Sequence, residues 1–207
     1  MYIPEQFNIN NAQSIHQFIR SNPFATVVSN IDGKIVATHM PIDRFQDGHY
    51  YGHFALNNPQ SRIQENEETL VIFTGPHAYI SPSMYASDFN VPTWNYSAVH
   101  CYGNIRFIDN ETKIWNLFHE LVYRYEGEAG WQLPNEEKFK DLTGFIRFFA
   151  FEIKRIEAKF KFNQNKPDED IESVIEGLRG IGNHEAADFM ERITTHRGPI
   201  KKPLEDF

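Results

Sequence analysis

Three short stretches of this chain carry side chains able to hold a flat, polar-edged ligand. The first is Trp94-Asn95-Tyr96, which follows Pro92 and opens a long strand-like run. An amide between two rings can hydrogen-bond the edge of a heterocycle; a Trp buried in a β-barrel is the equally simple structural alternative. The second is Gly52-His53-Phe54-Ala55-Leu56-Asn57-Asn58-Pro59-Gln60, a strand running into a helix N-terminus. Such an end offers unpaired N–H groups, two Asn side chains and the nearby His53, where an anion can sit. Alternatively, Asn57 or Asn58 only caps the helix. The third is Phe162-Asn163-Gln164-Asn165-Lys166-Pro167, an amide cluster with one cation. It suits a phosphate or carbonyl contact, and it is also good turn chemistry.

Other chemistries find less support. The nine histidines include no HxH, HxxxH or HExxH spacing on a helix. His49 and His53 lie four apart on a strand, which separates them by about 13 Å, so no metal site is expected. Cys101 is the one cysteine, so an internal disulfide and a multi-thiolate metal site are excluded. It sits in mid-strand, where a lone Cys acts as a small hydrophobe. G-x-S-x-G, G-x-G-x-x-G and the P-loop pattern are all absent, so a nucleotide cofactor must be held by strand side chains and loop amides.

The segment Phe73–Gly103 encloses the first stretch. Asp88 is its one formally charged residue, and it is dense in rings, hydroxyls, His and Pro. Such a surface suits a flat cofactor or a subunit partner; a ring-rich core plus a long loop is the plainer reading. The whole chain has 207 residues, 41% hydrophobic and 18 Phe, enough for one ring-rich core. Its net charge of −8 disfavours nucleic acid and acidic membranes. The first residues, MYIPEQFNIN, show no basic and apolar leader. No apolar run approaches the roughly 20 residues of a membrane span, and a soluble cytoplasmic protein is expected.

The elements that must position these stretches read as follows. Ile15, Phe18 and Ile19 take helical spacing after Asn10-Asn11. Phe24–Ile31 and Lys34–Met40 read as a hairpin about Asp32-Gly33. A third strand covers His49–Phe54, and a short helix runs from Asn57-Asn58-Pro59 to about Asn66. Leu70–Gly75 is a fourth strand, His77–Ser81 a short fifth, and Thr93–Ile108 a long sixth. Ile114, Leu117, Phe118, Leu121, Val122 and Tyr125 mark an amphipathic helix ending near Gly127. Asn135–Leu142 is a weaker helix. In Phe145–Phe162 the apolar parity changes near Lys154-Arg155, which predicts a bent strand with a bulge or break. After Pro167, Asp168 caps one helix, Gly180 and Gly182 end it, His184–Thr195 forms another, and the last residues form a loose tail. The expectation is a mainly β protein, a small antiparallel barrel of six or seven strands with helical decoration. Residues 1–166 would form the barrel and residues 167–207 a helical extension packed on it.

The runs NPFATVVS, ATHMPI, GHFALNNPQ, VIFTGPHAYISPSMY, VPTWNYSAVHCYG and FEIKRIEAKFKFNQNKP span nearly the whole chain. Through them the sequence resembles the PaiB-type family of FMN-binding, negative transcriptional regulators, relatives of the pyridoxamine-phosphate-oxidase split barrels. The resemblance implies a six-stranded split β-barrel and a homodimer with flavin at the subunit interface. It implies that Trp94, Asn95 and Tyr96 line the isoalloxazine and that Thr38, His39 and Ser81 add polar contacts. His53 stands beside them, and Asn58, Gln164 and Lys166 reach ring or phosphate oxygens. The family pattern K-x-K-x-S-Q-N-R differs here at Asn163 and Lys166, which exchanges a bidentate fork for a point charge. FMN is the implied cofactor, with haem as an alternative ligand of related barrels. A regulatory or sensor role is the first reading, and an FMN-dependent oxidoreductase the second, with His39, His77 or His100 relaying protons. Direct DNA binding is not expected: the last helix, HEAADFMERIT, carries three acids and one Arg.

Overall fold

A computed structural model describes residues 1–134, 139 and 143–195. The expected helix Asn135–Leu142 falls, Phe139 apart, outside the described residues, as does the expected tail from His196. Helix α1 spans Ala12–Ser21, and Asn11 caps it by accepting from the Ser14 N–H at 2.8 Å. Strands β1 (Phe24–Ile31) and β2 (Lys34–Pro41) follow, then β3 (Asp43–Arg44), β4 (Tyr50–Ala55), β5 (Glu68–Ile80) and β6 (Thr93–Phe107). Helix α2 (Glu111–Glu126), strand β7 (Ile146–Lys161) and helices α3 (Asp168–Gly180) and α4 (His184–Thr194) complete the order. One sheet holds seven strands in the order β2-β1-β5-β6-β7-β4-β3. The β1–β2, β3–β4 and β4–β7 ladders are antiparallel, in keeping with the mainly β reading.

The seven strands fall within the expected six or seven, one more than the six of the resemblance, but two local changes offset each other in reaching that count. Asp43–Arg44 forms a two-residue strand against Tyr50 and Tyr51. The expected fourth and fifth strands are one, because Gly75-Pro76 does not break the run. Pro76 lacks an N–H but keeps its carbonyl, which accepts from the Ser97 hydroxyl at 3.1 Å. A Cβ on Gly75 would lie 2.6 Å from the Phe18 ring, so glycine is what lets that ring close on the strand. Two smaller expectations also change. The helix after Asn58 is a four-residue 3-10 turn, Pro59–Arg62. Pro167, not Asp168, is the N-cap of α3, and no side chain caps it.

The chain divides into two compact units, one of Met1–Asn22, Ile72–His100 and Ile156–Phe207, the other of Pro23–Val71 and Cys101–Arg155. The expected boundary at Lys166–Pro167 lies inside the first. Strand β7 is continuous, yet its chain passes from one unit to the other at Arg155–Ile156, where the sequence parity changes. Phe149 and Phe151 are buried before that point; Ala158 and Phe160 are buried after it.

The first unit is held by rings. Phe18 lies 4.9 Å from Phe160, and Phe189 lies 5.2 Å from Phe160 and 4.9 Å from Phe162, centroid to centroid. Each fully buried Phe contributes about 1.5–3 kcal/mol. The helical spacing of Ile171, Val174, Ile175 and Leu178 on α3 buries that face. In the second unit, Phe45, Tyr51, Leu117 and Phe148 form a cluster with Ile114, Phe118 and Leu121 of α2. That cluster is the packed face predicted for α2. An ion pair pins the far end of the helix: Arg124 donates to the buried Asp43 carboxylate and to the Arg44 carbonyl.

Candidate functional site

In the second unit a polar network grows from the hairpin and the Pro59–Arg62 turn. The hairpin turns where Asp32 and Gly33 take φ of 51° and 79°, the twist a two-residue hairpin needs. Register then sets Thr38 opposite Val27 and His39 opposite Thr26. Asn58 caps the turn, its side-chain oxygen accepting from Gln60 N at 2.9 Å, and its NH2 donates to the Thr38 hydroxyl at 2.9 Å. The Thr38 hydroxyl donates to Gln60 Oε1, and Gln60 Nε2 donates to Val27 O at 3.0 Å and Ser29 Oγ at 3.1 Å. Gln60 has no exposed surface. It is the hub that fixes Thr38 and Asn58, and sequence reasoning did not single it out.

His39 lies on the other face of β2. It is exposed, shares a hydrogen bond at 2.9 Å with the Thr26 hydroxyl, and stacks 6.3 Å from the exposed Phe24 ring. His53 belongs elsewhere in this unit. Its ring packs 5.1 Å from Phe148 and 6.0 Å from Phe118. Burial holds its pKa below the ordinary histidine value, so it is neutral near pH 7.

In the first unit, strand alternation separates the three residues Trp94, Asn95 and Tyr96. Asn95 points to the core, fully buried, its NH2 on the Met190 sulfur at 3.8 Å and its Oδ1 without a hydrogen-bond partner. Trp94 points outward, 56% exposed, with His77 and the half-exposed Tyr79 each 6.1 Å from its ring. Tyr96 faces the Lys159 ammonium at 5.1 Å. The sequence motif therefore supplies two rings to one surface and an amide to the opposite one. His77 and Tyr79 complete a ring cluster that the reading of Trp94–Tyr96 alone missed, although period-2 spacing along His77–Ser81 was there to find it.

The remaining sequence candidates serve turns. Ser81 Oγ accepts from Ser83 N at 3.3 Å and meets Ser83 Oγ at 2.9 Å. Gln164 Oε1 accepts from Phe162 N at 2.7 Å, and its Nε2 donates to Phe160 O at 2.5 Å. Asn163 takes φ of 62°, a left-handed conformation that Asn tolerates, which is a local reason for its presence there. Lys166 donates to Asn90 Oδ1 at 2.5 Å and stands 5.3 Å over the Tyr85 ring. Asp170 holds the same loop, accepting from Ser87 N and Ser87 Oγ, each at 2.9 Å. The Ser87 N–H, as the leading cause, keeps the Asp170 carboxyl below its ordinary pKa. The loop so tied presents Phe89, 87% exposed, and Val91 to solvent.

Among the described residues no cluster of three or more His, Cys, Asp or Glu could hold a metal. Burial pushes the Cys101 thiol up to about 12, so it is no nucleophile near neutral pH. No described helix is long and apolar enough to cross a membrane. In the first unit the rings of Trp94, His77 and Tyr79 form a flat surface that suits the face of a planar heterocycle. In the second unit, taken by itself, Thr38 and Asn58 present a hydroxyl and an amide fixed by Gln60.

The comparisons with known proteins agree with that chemistry. Residues 1–155 match the family described as "Putative FMN-binding domain". The chain is 39% identical to Protease synthase and sporulation protein PAI 2 of Bacillus subtilis (strain 168) over 202 residues, 92% of this chain and 95% of that one. Among solved structures it is similar to an FAD and haem binding protein from Mycobacterium smegmatis, with TM-score 0.60 and 18% identity over 82% of this chain and 80% of that one. It is also similar to the flavocytochrome Anf3 from Azotobacter vinelandii, with TM-score 0.59 and 14% identity over 75% of this chain and 69% of that one. At such identities these two likenesses bear on the fold alone.

Proposed function

This chain belongs to the FMN-binding-domain family, with a split-barrel fold, and from that premise we propose that it is a flavin-responsive regulator acting as a homodimer. FMN is the cofactor its family names. The observation that carries the reading is the match over residues 1–155, which contains every strand of the sheet except residues 156–161 of β7. FMN, when bound, supplies reversible redox chemistry. The chain's own work is then to bind and orient. Trp94, with His77 and Tyr79, offers the ring surface, and Tyr96 lies on the same face of β6. Thr38 and Asn58 offer a hydroxyl and an amide already fixed by Gln60. His39 on the exposed face of β2 and the Phe89–Val91 loop offer apolar and polar contacts to a second copy.

A regulatory role fits the relative whose name couples it to protease synthesis and sporulation. Regulation through a ligand or protein partner, in the cytoplasm, fits the charge better than direct DNA reading. Arg179 at the end of α3 is already engaged by Asp188 at 3.1 Å and Glu191 at 2.7 Å of α4. Titration with FMN tests the reading, followed by flavin-fluorescence quenching and by an absorbance spectrum from about 300 to 600 nm, where the cofactor absorbs. Saturable quenching with one flavin per chain is expected. A colourless preparation with no quenching refutes it.

A further inference from the structure

Strand β7 ends on two lysines that make no ion pair among the described residues. Lys159 and Lys161 are two residues apart, so both side chains leave the same face of the strand. Lys159 is only 7% exposed. Its ammonium donates to the Tyr2 carbonyl at 3.2 Å and lies 5.7 Å from the Tyr2 ring and 5.1 Å from the Tyr96 ring. Lys161, half-buried, donates to the Thr93 hydroxyl and to the Trp94 carbonyl at 2.6 Å. Neither forms an ion pair among the described residues. Glu157, next along the same face, is engaged by the amino group of Met1.

An ammonium has three N–H donors. The contacts above use one of Lys159 and two of Lys161, and every acceptor is neutral. Two like charges this close on a strand repel, and burial penalises both. Burial foremost, and then the neighbouring Lys159 charge, hold the Lys161 pKa below its ordinary value. The pair is thus held in place by carbonyls, a hydroxyl and ring faces, with donors left over. That is the arrangement of an anion site rather than of a structural ion pair.

We propose that Lys159 and Lys161, with Thr93 beside them, form a binding site for a phosphoryl dianion. The two lysines lie beyond residues 1–155, the span matched to the FMN-binding family, while Thr93 lies within it, and phosphate binding is measured apart from flavin binding. Lys161 is the contact residue. Lys159, held between two tyrosine rings, raises the positive potential behind it. The phosphoryl group has two sources, a flavin nucleotide's own phosphate end or a separate phosphorylated effector.

Inorganic phosphate is the probe. Calorimetric titration of the full chain, read also by the emission of Trp94, is expected to give saturable binding that weakens as salt rises. K161M and K159M are each expected to weaken it at least tenfold, while K154M, which removes an exposed charge from the same strand, leaves it unchanged. Circular dichroism and thermal melts establish that each variant is folded, and K161R, which keeps the charge, restores binding if K161M loses it. FMN and riboflavin then separate the sources. If the flavin's phosphate end is the ligand, K161M weakens FMN but not riboflavin, and phosphate competes with FMN. If the effector is separate, phosphate binds the FMN-saturated chain and K161M leaves FMN affinity unchanged. Phosphate binding that is absent, or equal in wild type and K161M, overturns the site without touching the flavin reading.

Discussion

Replacing Gln60 by Met tests the hub of the second unit, because Met keeps the length of the side chain and removes its amide. The wild-type Nε2 serves Val27 O and Ser29 Oγ, and Oε1 accepts from Thr38. Loss of a buried partner costs about 1–3 kcal/mol per group left unsatisfied. Ser29 keeps a hydroxyl neighbour in Thr69 at 3.2 Å, and Thr38 keeps Asn58. Both losses therefore fall at the low end, and Val27 O adds a third of similar size. The sum is a destabilisation of about 2–3 kcal/mol. Urea unfolding should show a lower midpoint with an unchanged slope. A double-mutant cycle with S29A should return a coupling of about 1 kcal/mol, since the two changes share one bond. Flavin affinity should fall as well, because Thr38 and Asn58 lose their common anchor. A stability loss below about 0.5 kcal/mol with an unchanged slope refutes the hub, since surface changes alone give that much.

Four further outcomes follow from the same geometry. Histidine 53 has a depressed folded pKa from burial, so the unfolded chain takes up more protons below about pH 6.5, and stability falls as pH drops through that range. H53F should flatten that acid-side slope in chemical denaturation measured from pH 7 downward. The Asp170 carboxyl is also depressed, so its contribution is full above its ordinary value of 3.8 and is lost as pH falls below it. The protection of the Ser87 amide from hydrogen exchange, relative to its intrinsic rate, should fall in that window, and D170N should exchange faster already at pH 7. A Cβ on Gly103 would lie 2.0 Å from the Glu152 carbonyl oxygen, so G103A must push two backbones apart. It should cost about 3 kcal/mol or more, read as a lowered melting temperature or as insoluble product. D43A leaves Arg124 and Tyr125 without their shared carboxylate. Because the guanidinium keeps a quarter of its surface in water, the loss should be about 2–3 kcal/mol by urea unfolding, below the range for a fully buried pair.

Local chemistry made much of the fold legible. Asp32-Gly33 has the residues that adopt positive φ, and the hairpin closes there with Ile31 opposite Lys34. The ring spacing of α2 named the face that packs on Phe45, Tyr51 and Phe148. The parity change at Lys154-Arg155 marked the place where one long strand leaves one unit for the other. What stayed hidden depends on partners far away in sequence. Gly75-Pro76 reads as a break, but a ring from α1 and a hydroxyl from β6 hold it as strand. Gln60 falls within the short helix expected after Asn58, and only the approach of β1 and β2 reveals its bonds.

The candidate site shows the same division more sharply. Trp94-Asn95-Tyr96 was found by composition, yet composition does not carry direction. Alternation along β6 sends the amide into the core beside Met190 and the two rings outward. Lys166 drew attention as the cation of an amide-rich turn, but a turn satisfies its own cation, here through Asn90 and the Tyr85 ring. Lys159 and Lys161 stand at the two lysines of the family pattern K-x-K-x-S-Q-N-R, and the sequence reading assigns them no role. Their character follows from what surrounds them: neutral acceptors, ring faces and no ion pair among the described residues. A charge held by neutral groups has an uncompensated field, and a field of that kind selects a ligand. The binding chemistry of this chain therefore rests less on which polar residues it owns than on which ones the fold declines to pair.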